Sequence, residues 1–171
     1  MFRALRKEYP YEIQIELSDY CNSKCPICTR YIEGRVGLKP SPTVNKNQIS
    51  YEDFRKWFPP KFIEKRLFKM RFNGQVGESS LAEDLHDIVH YISKCNKNLE
   101  YLSLTTNGGT RTPEWWYKLG TLMKEMRWGE VVFAIDGLAD THSLYRVNVD
   151  WYNVTENARA YIAGGGRAQW R

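Results

Sequence analysis

The stretch Tyr11-Glu-Ile-Gln-Ile-Glu-Leu17 alternates apolar and polar residues, and Ser18-Asp-Tyr-Cys21-Asn-Ser-Lys-Cys25-Pro-Ile-Cys28 follows it directly. An alternation with a period of two predicts a β-strand. Three thiols therefore lie in one short loop at the end of a predicted strand. Thiolates are soft ligands that suit iron–sulfur clusters and zinc. A metal cluster with fewer protein ligands than metals keeps a coordination position open for another molecule.

The rest of the chain alternates strand-like and helix-like segments. Further strands are predicted at 68–72, 99–104 and 131–135, and a fifth begins near Ala168. Helices are predicted between them, and their first residues follow the N-cap candidates Ser50, Ser80, Thr112 and Asp150. Helical crossovers between successive strands require parallel pairing. The sequence thus predicts an α/β fold with a parallel sheet, in which residues 1–171 form one domain of about four βα units.

The chain is expected to be the N-terminal part of a longer barrel, because a parallel sheet that ends at a fifth strand would leave an edge uncovered. We therefore expect the domain to be incomplete at its C-terminus, after Arg171.

Bulk composition favours a soluble protein of the cytoplasm. The 171 residues are enough to bury a core. The first ten residues have no apolar h-region, and no apolar run reaches the ~20 residues of a membrane span. Four cysteines, three of them clustered, fit reduced, metal-binding thiols. The net charge of +5 is scattered along the chain, so we expect neither a membrane nor a nucleic-acid partner.

Glycines and small polar residues follow the other predicted strands. Asn73-Gly-Gln-Val-Gly77-Glu78 comes after the second, Thr105-Thr-Asn-Gly-Gly109 after the third, and Asp136-Gly137 after the fourth. The carboxyl ends of parallel strands meet on one rim, where the active sites of such folds form. These motifs and the cysteines are therefore expected to build one site.

With these motifs the chain resembles the radical S-adenosylmethionine (SAM) enzymes, most specifically in the C-x3-C-x2-C spacing of Cys21, Cys25 and Cys28. The resemblance implies a partial (β/α) barrel of the radical SAM type. It implies a [4Fe-4S] cluster held by the three thiolates, with SAM on the fourth iron. Reductive cleavage of SAM would give a 5′-deoxyadenosyl radical that abstracts hydrogen from a substrate. An electron donor such as flavodoxin or ferredoxin would be a partner.

The resemblance also implies roles for residues after the second and third strands. Gly77-Glu78 resembles the family's Gly-Gly-Glu element, whose carboxylate suits the ammonium of SAM. Thr106 and Asn107, followed by Gly108, resemble the Thr-Asn-Gly element beside the cofactor. Gly77, Glu78, Thr106 and Asn107 are expected to position SAM.

Three further residues carry an implied role toward SAM. Asp136 resembles the acid that helps to bind the ribose, and Ile27 stands where the family places a hydrophobic residue against adenine. Arg146 resembles an arginine that meets the SAM carboxylate in peptide-maturing members, a task that suits its planar fork of donors. The resemblance therefore leans toward a peptide or protein as the substrate.

A zinc-stabilised binding module is one alternative, and it requires a fourth ligand. His142 is a candidate, whereas Cys95 lies on the apolar stripe of a predicted helix and is expected to be a small buried residue. His86 and His90 are four residues apart, as in zinc proteases, but are expected to face solvent. A second alternative is a truncated protein that binds the cluster without activity.

Overall fold

The computed structural model describes residues 12–32, 39, 41–42, 44–95 and 99–171. Strands and helices alternate along it. The strands are β1 (Glu12–Ile15), β2 (Lys69–Phe72), β3 (Tyr101–Thr106), β4 (Gly129–Phe133) and β5 (Arg167–Trp170). The helices are α1 (Tyr51–Trp57), α2 (Pro60–Arg66), α3 (Leu85–Cys95), α4 (Pro113–Lys124), α5 (His142–Tyr145) and α6 (Trp151–Ala163).

The five strands form one sheet in the order β1-β2-β3-β4-β5, and every neighbouring pair is parallel. Alternate strand residues on one face are buried beneath the helices, as shown by Met70, Leu102, Val131 and Phe133. The predicted α/β fold with a parallel sheet is confirmed. All five carboxyl ends lie on the same rim, which is where the cysteine loop follows β1.

Three of the predicted helix starts are confirmed by their caps. Ser50 Oγ accepts a 3.1 Å hydrogen bond from the Asp53 amide, and its hydroxyl donates to the Asp53 carboxylate at 2.9 Å. Thr112 caps α4 in the same manner, and Asp150 caps α6. Such side-chain acceptors satisfy amides that have no partner within the first turn of a helix.

The predicted helix start at Ser80 is wrong. Ser79–Leu81 is a single 3₁₀ turn, and α3 begins only at Leu85. The Ser80 amide and hydroxyl both donate to the Glu78 carboxylate, at 3.1 and 2.7 Å. Ser80 therefore serves the loop after β2 and not the helix. The short helix α5 was not predicted, and β1 ends at Ile15, with Tyr11 outside the described residues.

Two side-chain predictions on α3 are also wrong. The ring of His86 does not face solvent but stacks on Trp115, with centroids 4.3 Å apart. Burial lowers the pKa of His86 to about 4. Cys95 is only half-buried at the edge of the core, whereas His90 is exposed as predicted. Among the described residues, no helix has both the length and the apolar character to cross a membrane.

Candidate cofactor site

A cavity of about 260 Å³ lies at the carboxyl ends of the strands. It is just below the range of ~300–1,000 Å³ that is usual for small-molecule pockets. Every residue predicted for the site except Asp136 lines it, namely Cys21, Cys25, Ile27, Cys28, Gly77, Glu78, Thr106, Asn107 and Arg146. The four strand-end motifs therefore meet around one space.

The cysteine loop is held by the segment that follows β4. The Lys24 amide donates to the Val147 carbonyl at 2.9 Å. The Tyr145 hydroxyl donates to the Ile27 carbonyl at 3.1 Å. Ile27 itself is 75% exposed, so its side chain lies on the rim of the cavity. The loop between the thiols is thus tied at two positions to the segment that follows β4.

The three thiols are free and differ in burial. Cys25 is buried, while Cys21 and Cys28 are half-buried. The Ser23 hydroxyl lies 3.1 Å from Cys21 Sγ and 3.5 Å from Cys25 Sγ. Burial raises the pKa of the Cys21 thiol, although hydrogen bonding from Ser23 opposes this. A bound metal would reverse the effect of burial, because a coordinating thiol is deprotonated.

Gly77 allows the loops after β1 and β2 to touch. A Cβ atom at this position would lie 1.7 Å from the Ser18 carbonyl oxygen, which no side chain tolerates. Directly beside it, the Glu78 amide donates to the Tyr20 carbonyl at 2.6 Å. The glycine is therefore required by backbone contact between two protein segments.

Glu78 is a buried carboxylate, 2% exposed, that lines the cavity. Its Oε1 atom accepts from Thr106 Oγ1 and from the amide and hydroxyl of Ser80. Among the described residues, its Oε2 atom accepts only from the Asn107 amide, at 2.7 Å. All of these donors are neutral, and no cation in the described part of the chain pairs with this acid. Buried charges are normally paired, so a cationic group in the cavity would complete the site.

Arg146 connects the segment after β4 to the cysteine loop. Its Nε atom donates to the Asp136 carboxylate, and its Nη1 atom lies 3.8 Å from Cys25 Sγ. Burial is the largest single influence and disfavours the charge on Arg146, but the hydrogen bonds and charges of Asp136 and Cys25 together outweigh it and raise the pKa of the guanidinium. Asp136 thus borders the cavity through its ion pair with Arg146 and does not line the cavity itself.

His142 is fully buried and contacts the backbone at Asp136. Its Nδ1 atom accepts a 3.3 Å hydrogen bond from the Asp136 amide. The residue therefore orients the backbone at Asp136. It does not line the cavity, so the structure does not place it as the fourth ligand that the zinc alternative requires.

Within the described residues, no three His, Cys, Asp or Glu side chains approach closely enough to hold a single metal ion. Zinc binds thiolates at ≈ 2.3 Å and would need such an approach. A cluster, by contrast, distributes its thiolates over different irons.

Some residues of the site could not be predicted from the sequence. Ser23 is a spacer between two cysteines, and nothing in its type signals contact with both. Glu16 accepts from the amides of Gln75 and Val76, and its burial raises its pKa. The one signal in the sequence was that Glu16 occupies a polar position in the alternating stretch before the cysteine loop. Tyr145 lies on α5, which carried no helix signal.

Comparisons with known proteins agree with this geometry. No family model matches the chain. The GTP 3′,8-cyclases of Vibrio atlanticus and Vibrio parahaemolyticus are each 30% identical over 98 residues. The match covers 57% of this chain and 27% of each relative. The chain therefore spans only about a quarter of the length of these relatives.

Solved structures match over more of the chain. Native anSMEcpe with bound AdoMet superposes with a TM-score of 0.64 at 23% identity, covering 94% of this chain and 43% of that one. The complex of anSMEcpe with AdoMet and Cp18Cys peptide gives 0.65 at 20% identity, covering 94% and 42%. Both groups of proteins are radical SAM enzymes. The chain is therefore similar to radical SAM enzymes in part of its sequence and in its fold.

The radical SAM fold accounts for the architecture described above. The five parallel strands with outer helices correspond to the partial barrel of these structures, and the resemblance drawn from the cysteine spacing is confirmed. At these identities the structural match establishes the fold. The roles of individual residues rest on the geometry of the cavity.

Proposed function

We propose that this chain is the cluster- and SAM-binding part of a radical SAM enzyme. One observation carries the proposal: Cys21, Cys25 and Cys28 share a single cavity with the polar groups that end β2, β3 and β4. Three thiolates suit iron–sulfur chemistry, and their number is one short of the four that a cubane cluster takes when fully coordinated by cysteine.

The three cysteines would hold the [4Fe-4S] cluster. Hydrogen bonds within the protein fix their loop, because Lys24 and Ile27 are tied to the segment after β4. A loop that is already positioned loses less conformational entropy when a ligand binds. The protein's contribution here is a set of soft donors at a fixed place on the rim.

The cavity offers SAM the acid of Glu78, which has no cationic partner among the described residues, and the positively charged fork of Arg146. Glu78 Oε2 accepts a single hydrogen bond, so it retains capacity for the ammonium group. Arg146 and Asp136 neutralise each other, and the other donors of Arg146 remain for a carboxylate. Thr106 and Asn107 fix Glu78 from β3, and Gly77 keeps it near the cysteine loop.

Bound together, the cluster and SAM would supply one-electron cleavage of the sulfonium and removal of hydrogen from a substrate. The chain's own residues supply the environment for this chemistry. Glu78 and Arg146 orient the two charged ends of the methionyl group, and Ile27 offers apolar surface at the rim. Burial of Cys25 and Glu78 keeps water from the bottom of the site.

A peptide or protein is our proposed substrate class. Two observations support it: the position of Arg146, and the likeness to anSMEcpe, which has been solved with a bound Cp18Cys peptide. A small electron-transfer protein of the flavodoxin or ferredoxin type is the proposed electron donor, and the cytoplasm the proposed location. The chain covers 43% of that neighbour, so we also propose, rather than derive, the activity of the whole protein.

Anaerobic reconstitution with iron and sulfide, followed by dithionite and SAM, tests the proposal. We expect a brown protein whose iron and sulfide contents match one cluster and which forms 5′-deoxyadenosine. Cluster without that product would support the alternative of an inactive cluster-binding protein. A colourless protein that binds one zinc ion would overturn the proposal.

Single substitutions of cysteine by serine give a matched series. Cys21→Ser, Cys25→Ser and Cys28→Ser should each abolish the stable cluster. Cys95→Ser is the control, since Cys95 lies on α3 away from the cavity. A cluster that survives loss of any of the three, or that requires Cys95, would contradict the assignment.

A further inference from the structure

Ser23 contacts two of the three cysteines that the proposed function assigns to the cluster. Its hydroxyl oxygen lies 3.1 Å from Cys21 Sγ and 3.5 Å from Cys25 Sγ. The residue is 8% exposed, so water has little access to this hydroxyl. A buried hydroxyl between two sulfurs is placed to act on both.

Two further donors reach the same pair of sulfurs. Arg146 Nη1 lies 3.8 Å from Cys25 Sγ, and Asn107 Nδ2 lies 3.9 Å from Cys21 Sγ. Among the residues that the structure describes, no side-chain donor contacts Cys28 Sγ. The polar environment of the three thiols is therefore unequal.

The direction of these bonds depends on the state of the thiols. In the thiol form, Cys25 donates to Ser23 Oγ. A thiolate that binds metal has no proton and can only accept. The Ser23 hydroxyl must then donate, and its single proton serves one sulfur at a time. Arg146 donates to Cys25 in either form because it carries no acceptor.

The guanidinium of Arg146 is held in place at its other end. Asp136 accepts from Arg146 Nε, and the Asp136 amide donates to the buried His142. The charge therefore stays beside Cys25 without an added ligand. Within the ion pair with Asp136, the donor that faces Cys25 is Nη1, and a charged donor there favours whichever state of the cluster carries more negative charge.

We propose that Ser23 and Arg146 raise the reduction potential of the bound cluster by donating hydrogen bonds to the sulfurs of Cys21 and Cys25. This inference rests on the proposed function. When a one-electron reductant such as dithionite transfers an electron, the reduced cluster carries one more negative charge. Donors to its sulfur ligands stabilise that state more than the oxidised state, and such bonds are known to set cluster potentials. Both are positioning residues that act through the cysteines.

The test is a redox titration of the reconstituted full chain in the absence of SAM. Electron paramagnetic resonance measures the fraction of reduced cluster at each solution potential. We expect Ser23→Ala to lower the ratio of reduced to oxidised cluster about tenfold at a given solution potential, which corresponds to 59 mV for one electron. Ser23→Thr retains the hydroxyl and should restore the ratio. Thr29→Val is the control, because the Thr29 hydroxyl also lies at the cavity but donates to the Gln75 carbonyl.

A midpoint for Ser23→Ala equal to that of the unaltered chain would overturn the inference, as would an equal shift in Thr29→Val. If Ser23→Ala fails to assemble a cluster, the same titration is carried out on Arg146→Gln. A lowered ratio of reduced to oxidised cluster in that variant would support the inference, and an unchanged ratio would refute it. If the unaltered chain takes up no cluster, the proposed function fails, and that result is distinct from a cluster with unshifted potentials.

Discussion

The carboxylate of Glu78 accepts a 2.7 Å hydrogen bond from the backbone amide of Asn107. This bond joins the loop after β2 to the loop after β3 at the bottom of the cavity. A buried acid whose partners are all neutral remains available to a cation. The relationship therefore links the stability of the rim to the proposed binding of SAM.

Glu78→Gln should weaken both properties. The amide group of glutamine turns one acceptor into a donor, which faces donors from Ser80, Thr106 and Asn107. Leaving buried donors without acceptors costs about 1–3 kcal/mol, so we expect a lower melting temperature. Binding of SAM, measured by equilibrium dialysis on the reconstituted protein, should fall at least about tenfold through loss of a charged hydrogen bond.

Glu83→Gln is the matched control for that change, because Glu83 is exposed outside the cavity. It should leave both the melting temperature and the affinity for SAM unaltered. Normal SAM affinity in Glu78→Gln would disprove the assigned role of the acid.

Gly77→Ala should disrupt the contact between the cysteine loop and the loop after β2. The new methyl group would meet the Ser18 carbonyl at 1.7 Å, so the two backbones must separate. We expect a loss of several kcal/mol, on the order of 3 or more, in the free energy of unfolding. Chemical denaturation of the chain measures this loss, and cluster content after reconstitution should fall with it.

Gly74→Ala provides a graded comparison within the same loop. Its Cβ would lie 3.0 Å from the Thr105 carbonyl, a tight contact that a small shift relieves. The destabilisation should be clearly smaller than that of Gly77→Ala. Equal effects at the two positions would show that the 1.7 Å contact at Gly77 is not decisive.

His86 should make the fold sensitive to acid. Burial against Trp115, with the nearby charges of Lys118 and Arg111, lowers the pKa of His86 to about 4. The unfolded chain takes up this proton near pH 6.5, whereas the folded chain resists it until about pH 4. The stability that depends on neutral His86 is therefore complete above about pH 6.5 and is lost as the pH falls toward 4.

His86→Phe removes the titrating group and preserves a ring against Trp115. Melting temperatures at pH 7 and pH 5 should differ less in this variant than in the unaltered chain. The exposed His90 gives the control, and His90→Phe should retain the original dependence on pH. An unchanged slope in His86→Phe would refute the prediction.

Tyr161→Phe should stabilise the protein or leave its stability unchanged. The hydroxyl of Tyr161 is buried and has no hydrogen-bond partner among the residues that the structure describes, and burial raises its pKa strongly. Removing a polar group that cannot bond avoids a desolvation cost of about 1–3 kcal/mol. Tyr101→Phe is the opposite case, because it removes a hydrogen bond to Glu130, and should destabilise the chain. Urea unfolding of the two variants gives the comparison.

Much of the fold follows from local sequence chemistry. Ser50, Thr112 and Asp150 cap helices because their side chains accept from amides of the first turn, a rule that acts within three residues. Parallel pairing followed from the helical crossovers. Ser80 instead donates to Glu78, which caps the 3₁₀ turn at Ser79–Leu81, so the capping pattern misplaced the start of α3.

The candidate site was predictable where a residue type has few other uses. Three clustered cysteines and a glycine followed by an acid belong to this class. Ser23 and His142 do not, because a buried serine or histidine is common in any core, and their contacts with the cysteine sulfurs and with the Asp136 amide depend on how each loop is folded. The pairing of Asp136 with Arg146 likewise depends on the path of α5, which had no signal in the sequence.

The near contact of residue 77 with Ser18 has a consequence for protein engineering. The cysteine loop cannot be transferred by itself, because its first residues pack against the backbone of Gly77 and Glu78. Residues 18–28 would have to be grafted into another scaffold together with residues 73–80. Without the second segment, the cysteine loop would lose the backbone contacts that hold it in place.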